Sequence, residues 1–287
     1  MAILGAHQSI AGGYYRAVER ARERGCECVQ LFTKNANQWA AKNITQDEAR
    51  QFRETLEKSG IGHPIAHDSY LINLASPDRQ LWQKSVDALT AELRRAEMLG
   101  IPYVVTHPGA YTSGSEAAGL RNVVRAINAV HSPSHDLRCR CLLETTAGQG
   151  TSLGWRFEQL AQIIDRVKQP DLLGVCFDTC HVFAAGYPWA SPKDYATTIG
   201  AFDRLVGLER IKAFHLNDSR SACGSRIDRH EHIGRGKLGL EAFRLLLSDR
   251  RFRDVPMYLE TPKGDENGRD CDAINLQTLR RLLPERV

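Results

Sequence analysis

Eight short apolar runs, each followed by a stretch of helical composition, predict a (β/α)₈ barrel for this chain. Two further observations point the same way. Six of the runs end on a side chain able to bind a metal: Ile65-Ala66 on His67, Val104-Val105-Thr106 on His107, Cys141-Leu142-Leu143 on Glu144, Val175-Cys176-Phe177 on Asp178, Ile211-Lys212-Ala213-Phe214 on His215, and Met257-Tyr258-Leu259 on Glu260. No linker or low-complexity break divides the chain, so residues 1–287 are expected to form one domain. The competing architecture, an open doubly wound sheet, usually has fewer units. It would not place imidazoles and carboxylates at so many strand ends.

The units follow in order. Ile3–His7 is a strand, Gly12-Gly13 breaks it, and an Ala-, Arg- and Glu-rich helix spans Tyr14–Arg24. Cys28–Phe32 is the second strand and Thr33–Trp39 its polar loop. Thr45-Gln46-Asp47-Glu48 is a capping box that starts a helix ending near Ser59. The third strand, Pro64–Ala66, leads through His67-Asp68-Ser69-Tyr70 to a helix at Leu81–Leu99, stopped by Gly100 and Pro102. Tyr103–Thr106 and a helix at Ser115–Val130 make the fourth unit, and His131–Asp136 is a turn cluster. The fifth has its strand at Arg140–Leu143, a small Gly-rich loop at Thr145–Gly150 and a helix at Arg156–Val167. The sixth strand runs from Gly174 into Asp178-Thr179-Cys180-His181, with a helix at Pro192–Val206. Ile211–Phe214 opens the seventh unit. Its loop, Asn217 to Gly236, is long, and the helix is Leu240–Ser248. Pro256–Leu259 and a helix at Ala273–Leu283 close the series.

Composition narrows the function. A formal charge of +4 permits a polyanionic partner without announcing one. No secretory signal and no apolar run long enough to span a membrane is present, which fits a cytoplasmic protein. The eight cysteines include Cys26/Cys28 and Cys139/Cys141 but no CxxC, and they read as reduced packing residues.

Alternation along a strand gives the strand endings their meaning. If His215 points into the barrel, Ala213 and Ile211 do too. Cys176 lies beneath Asp178, and Leu142 beneath Glu144. The endings meet at the C-terminal face, where barrel enzymes keep their sites. The candidate ligands are His67, His107, Glu144, Asp178, His181, His215, Asp228, His230 and Glu260. Imidazole with carboxylate and no thiolate favours zinc, manganese or iron(II), and five histidines tilt that to zinc. Nine ligands exceed one tetrahedral ion and suit three ions with open positions. Asp228 and His230, two apart in extended backbone, share one ion with His181. The other six form a two-metal pair with one bridging carboxylate. Such clusters suit phosphoryl chemistry, in which metals activate water and neutralise phosphate. His7 is assigned to support the ligands rather than to bind. His63, His131 and His135 read as surface or loop residues, and His232 as a weaker competitor of His230.

At these residues the chain resembles the endonuclease IV family of apurinic/apyrimidinic endonucleases over nearly its whole length. The motifs are Leu31-Phe32-Thr33-Lys34-Asn35, His67-Asp68-Ser69-Tyr70-Leu71-Ile72-Asn73-Leu74, His107-Pro108-Gly109, Thr146-Ala147-Gly148-Gln149-Gly150, Asp178-Thr179-Cys180-His181 with Phe183-Ala184-Ala185-Gly186-Tyr187, His215-Leu216-Asn217-Asp218, and Asp228-Arg229-His230. The resemblance implies a TIM barrel holding three zinc ions per chain, with manganese as an alternative occupant of some sites. It implies His67, His107 and Glu144 on one ion, Glu144, Asp178, His215 and Glu260 on a second, and His181, Asp228 and His230 on the third. Glu144 and Glu260 are then the catalytic carboxylates, beside hydroxide generated at the metals. The implied reaction cuts the phosphodiester 5′ to an abasic site in duplex DNA. It leaves a 3′-hydroxyl and a 5′-deoxyribose phosphate, and trimming of blocked 3′ ends accompanies it. The expected state is a monomer. In one departure, Asn37 stands where the family often has a large basic residue that enters the minor groove. In another, Thr145 follows Glu144 where Asn is common.

An abasic nucleotide is cheap to extrude because it has no stacked base. Tyr70 and the loop residues Asn35, Asn37, Gln38 and Trp39 are candidates to fill the gap. The alternatives are that Trp39 packs its own loop against the barrel rim and that Tyr70 only orders the groups behind the ligands. Lys34, Arg220, Arg226, Arg229, Arg235 and Lys237 are candidates for phosphate contacts. Two other functions compete. A sugar isomerase on the same barrel would have no use for His181, Asp228 and His230. A non-catalytic damage-binding protein would close its metals with four ligands each.

Overall fold

The computed structural model describes residues 2–132 and 136–284. Its centre is a closed barrel of eight parallel strands: β1 (Ile3–His7), β2 (Cys28–Phe32), β3 (Gly62–His67), β4 (Tyr103–Thr106), β5 (Arg140–Glu144), β6 (Leu173–Asp178), β7 (Ile211–Leu216) and β8 (Pro256–Leu259). Each pairs with its sequence neighbours, and β1 closes the ring by pairing with both β2 and β8. Closure leaves the barrel without an edge strand.

The helices outside are α1 (Tyr14–Glu23), α2 (Gln46–Ser59), α3 (Arg79–Leu99), α4 (Glu116–Val130), α5 (Phe157–Arg166), α6 (Thr179–Ala185), α7 (Pro192–Leu205), α8 (Gly239–Ser248) and α9 (Cys271–Arg281). The expected capping box forms: the Thr45 hydroxyl accepts from the Glu48 amide at 3.2 Å, and the Glu48 carboxylate accepts from the Thr45 amide at 2.8 Å. The helix α3 starts two residues before the expected Leu81, because the Asp78 carboxylate caps it. Among the described residues, no helix is long and apolar enough to cross a membrane. All eight cysteines are free, and Cys223 alone is exposed.

Period-two alternation sorts the strand side chains into two environments. One residue from each of seven strands packs inside the barrel: Cys28, Ile65, Val105, Leu142, Cys176, Ala213 and Tyr258. Ile211 does not join them and packs with the larger outer cluster. The β6–β7 register shifts at Val175/Cys176, so parity counted back from His215 stops short of the strand's first residue. Outward neighbours meet the helices. Phe177, beside Cys176, has its ring within 5.4–6.2 Å of Phe157, Trp189, Phe202 and Phe214.

The first strand contributes Gly5 to the interior, two residues below His7. A Cβ built there would lie 1.9 Å from the Cys28 carbonyl oxygen and 2.7 Å from its sulfur. Gly5→Ala is therefore expected to destabilise the barrel by about 1–3 kcal/mol or more. A urea midpoint equal to that of the parent protein would contradict this close approach.

Candidate metal centre

Seven side chains stand two residues above the interior layer: Gln30, His67, His107, Glu144, Asp178, His215 and Glu260. They form the floor of the C-terminal face because each continues the inward column of its strand. Buried carboxylates are costly unless compensated. Here imidazoles compensate them.

Glu144 is at the middle and fully buried. Its Oε2 is 3.1 Å from His67 Nε2 and 2.9 Å from His107 Nε2. Its Oε1 is 2.9 Å from His215 Nδ1 and 3.2 Å from His181 Nδ1. The two oxygens thus face two different imidazole groups. Ligand atoms of His67, His107 and Glu144 lie within 4.8 Å of one another, and so do those of Glu144, Asp178, His215 and Glu260. At the third position His181 Nε2 is 3.1 Å from Asp228, and His230 Nε2 is 3.4 Å from both Asp228 and His181 Nε2. Asp178 with His181 and His230, and Cys180 with Asp228 and His230, also fall within 4.8 Å. The Cys180 thiol is turned toward the Arg229 carbonyl at 3.7 Å, and burial pushes it up to about 12.

On His67, His181, His215 and His230 the spare ring nitrogen is hydrogen-bonded, which fixes how each of these imidazoles is presented. His67 Nδ1 meets the Asp68 carbonyl at 3.0 Å, His181 Nδ1 the Thr145 carbonyl at 2.8 Å, and His230 Nδ1 the Glu260 carbonyl at 3.2 Å. His215 differs: its Nε2 meets Gln30 Oε1 at 2.8 Å, which leaves Nδ1 toward the cluster. Burial works against charge on His67 and His215, but Glu144 and Glu260 outweigh it and push both up to about 9. Burial likewise opposes ionisation of Glu144, and His215 and His107 outweigh it to hold that carboxyl well below its usual range. Four carboxylates among five imidazoles, without a lysine or arginine in the cluster, fit divalent cations.

Sequence reading missed the supporting groups. Gln30 donates to Glu260 Oε1 at 2.5 Å and lies 3.0 Å from His7 Nδ1. Asn217 donates to Asp178 Oδ2 at 2.7 Å and accepts from the Glu260 amide at 3.0 Å. The Thr145 hydroxyl accepts from the Asp178 amide at 2.8 Å. A polar residue inside the run Cys28-Val29-Gln30-Leu31-Phe32 was the available signal for Gln30. The helix α6 was also missed. All seven of its residues are buried, so it has no polar face to give it a helical period. Asp178 caps it, accepting from the His181 amide at 2.6 Å, and so plays cap and candidate ligand at once.

His7 lies outside the clusters, packed on Phe32 at 4.4 Å, and burial pulls its pKa down to about 3. His232 pairs with Asn275 rather than competing with His230. His63 is exposed at the far end of β3. His131 is a correction: it is buried at the end of α4, where the helix packs on the core. His135 lies outside the described residues.

The outer residues divide. Tyr70 is 66% exposed, with its ring 5.5 Å from Phe32 and 6.2 Å from His67. Asn35, Asn37 and Gln38 are exposed. A cavity of about 980 Å³ beside the centre is lined by His7, Phe32, Asn35, Asn37 and Tyr70, among others. Lys34 is the second correction. It is buried, with Nζ 3.4 Å from Glu92 and 2.5 Å from the Gln38 carbonyl it donates to. Trp39 is half-buried against the core, with Lys84 over its ring at 4.2 Å. Arg220 pairs with Glu231 at 2.9 Å and Arg235 with Glu266 at 2.7 Å. Arg226 stacks on Trp155 at 4.0 Å, Arg229 donates to the Asp228 carbonyl at 2.6 Å, and Lys237 is exposed. Surface ion pairs such as Arg235–Glu266 contribute about 0–1 kcal/mol.

A family model described as a xylose isomerase-like TIM barrel matches residues 18–281. A probable endonuclease 4 of Geobacter sulfurreducens is 52% identical over 284 residues, covering 99% of this chain and 95% of that protein. The chain belongs to the endonuclease IV family. A second relative, a probable endonuclease 4 of Chloroflexus aurantiacus, is 50% identical, with 97% of each chain covered. Endonuclease IV from Thermus thermophilus has a solved structure that is 38% identical, with TM-score 0.83 and coverage of 97% and 98%. A D-tagatose 3-epimerase-like protein matches at 16% identity, TM-score 0.70 and coverage of 97% and 96%. At that identity the likeness is one of fold alone. Membership of the endonuclease IV family makes this chain a hydrolase and not an epimerase.

Proposed function

We propose that the whole chain, residues 1–287, is a zinc-dependent endonuclease that cuts duplex DNA 5′ to abasic sites. The products are a 3′-hydroxyl and a 5′-deoxyribose phosphate, and blocked 3′ ends are trimmed at the same site. The observation that carries this reading is Glu144, whose two oxygens face separate imidazole groups 2.9–3.2 Å away, beside a third cluster at His181, Asp228 and His230. His67 and His107 with Glu144 would hold one ion. Asp178, His215 and Glu260 with Glu144 would hold a second, and the third cluster a third. Zinc bound there supplies Lewis-acid activation of water and neutralises phosphate oxygens. Gln30, Asn217 and Thr145 fix the orientation of His215, Asp178 and Glu260. Glu144 and Glu260 would be the catalytic carboxylates of this reading, both placed among the ligand groups. The exposed Tyr70 ring fills the gap left by the missing base, and Arg220, Arg226 and Arg229 contact flanking phosphates. A sugar isomerase has no use for the third cluster. The enzyme acts as a cytoplasmic monomer on chromosomal DNA.

The test is incision of a duplex carrying one tetrahydrofuran abasic analogue, with metals assayed on the same preparation. The analogue cannot undergo β-elimination, so a 3′-hydroxyl product requires hydrolysis. Cleavage that is lost when zinc is stripped, with close to three zinc per chain, supports the reading. Intact duplex from metal-loaded protein would overturn it.

Asn37 is exposed, and its backbone amide is turned onto the Asn35 side chain at 2.9 Å. Asn37→Arg adds a charge on the open side of the loop, where a charged hydrogen bond is worth roughly 1.5–3 kcal/mol. Binding to abasic duplex is expected to tighten about tenfold at low salt and less at high salt. Unchanged affinity in a gel-shift titration would mean that the loop does not reach the groove.

A further inference from the structure

We infer that Asp218 is the positioning residue of the third metal group; this rests on the reading of His181, Asp228 and His230 as a zinc site. The barrel strands place the backbone of the first two groups. His67, Glu144, Asp178 and His215 are strand residues, and His107 and Glu260 directly follow β4 and β8. Asp228 and His230 come instead from the long segment between β7 and α8, which lies outside the barrel sheet.

Asp218 stands at the start of that segment and is fully buried. Its Oδ1 accepts from the Ser219 amide at 2.7 Å and the Leu238 amide at 3.0 Å. Its Oδ2 accepts from the Gly234 amide at 2.9 Å and the Gly236 amide at 3.1 Å. The Gly239 amide is shared between both oxygens at 3.4 and 3.3 Å. The donors are backbone amides from the two ends of the segment, so one carboxylate closes it into a ring. Converging amide dipoles can neutralise such a charge without a cationic side chain.

The ring pins the ligands from two sides. Along the backbone, Asp218 and Ser219 pair antiparallel with Glu231 and His230. Through its side chain, Asp218 fastens residues 234–239. Gly236 is required for this. A Cβ there would lie 2.4 Å from both Asp218 Oδ1 and the Ser219 carbonyl oxygen. Arg220, Arg226 and Arg229 ride on the same ring, so phosphate contacts depend on it as well.

Two variants attack the clasp from opposite sides. Asp218→Asn keeps the shape but turns an amide NH₂ against backbone N–H donors. Gly236→Ala pushes the segment off an intact carboxylate. Zinc per chain is measured after dialysis at fixed free zinc. The metal-free proteins are digested with trypsin, and circular dichroism reports the barrel. Both variants are expected to keep the barrel signal and close to two zinc ions, against three in the parent. They should be cut at Arg220, Arg226 or Arg229 where the parent resists. Three zinc ions with undiminished third affinity in either variant overturns the proposal. Loss of all zinc together, or unfolding of both variants, also overturns it, because Asp218 would then serve the whole fold. A parent protein with fewer than three zinc ions sinks the underlying zinc reading, and the proposal with it.

Discussion

Glu144→Gln is expected to abolish incision and to weaken zinc binding at two groups at once. The amide has one acceptor oxygen where the carboxylate has two. Its NH₂ must face either His67 and His107 or His215 and His181, all of which now lie 2.9–3.2 Å from a charged oxygen. Losing a partner that merely orients a ligand costs about 10–100-fold in metal affinity, so losing the shared ligand should cost at least about 100-fold. Gln is nearly isosteric and Leu142 beneath it is untouched, so the barrel should survive. The check is a zinc titration and an incision assay on one preparation, with circular dichroism for the fold. Full activity with three tightly held ions would remove Glu144 from the centre of the site.

The second large effect is on stability and lies away from the candidate metal centre. Glu92 on α3 is buried and faces Lys34 Nζ at 3.4 Å, and its other oxygen accepts from the Thr33 hydroxyl. Arg95, one turn on, donates to the Thr33 hydroxyl at 3.0 Å and carbonyl at 2.6 Å and to the Lys42 carbonyl at 2.6 Å. Together these bonds tie the loop after β2 to α3. Glu92→Leu strands the Lys34 ammonium in the interior, which costs on the order of 3–5 kcal/mol. Adding Lys34→Met removes the stranded charge and should recover much of that loss. Urea denaturation of the single and double variants measures both. A single variant as stable as the parent, or a double variant no better than the single, would rule out the buried pair as the anchor. Because the same loop carries Asn35 and Asn37, the single variant should also raise KM for abasic duplex more than it lowers kcat.

The convergence of the candidate ligands was legible where they obey strand parity. His67, Glu144, Asp178 and His215 end inward columns that alternation alone assigns, and a chain of eight such columns implies one shared face. The two-residue spacing of Asp228 and His230 was legible for the same reason. Lys34 was not. Its neighbours Asn35 and Asn37 are exposed while it is buried. Nothing local distinguishes a lysine aimed at phosphate from one aimed at Glu92, far along the chain. Gln30 and Asn217 escaped for a related reason: an amide in an apolar run announces a hydrogen bond but not its partner.

The sequence by itself determined the barrel, the face on which the site lies and the residue types that converge there. These follow from short-range periodicity, in which each side chain's direction is set by its neighbours two positions away. Tertiary structure alone decided which oxygen of Glu144 meets which imidazole, that α6 turns His181 toward Asp228, and that Asp218 closes the segment carrying Asp228 and His230. Those contacts join residues distant in sequence. Their partners are chosen by burial, which leaves each desolvated polar group to pair with whatever donor or acceptor the packed elements bring within about 3 Å.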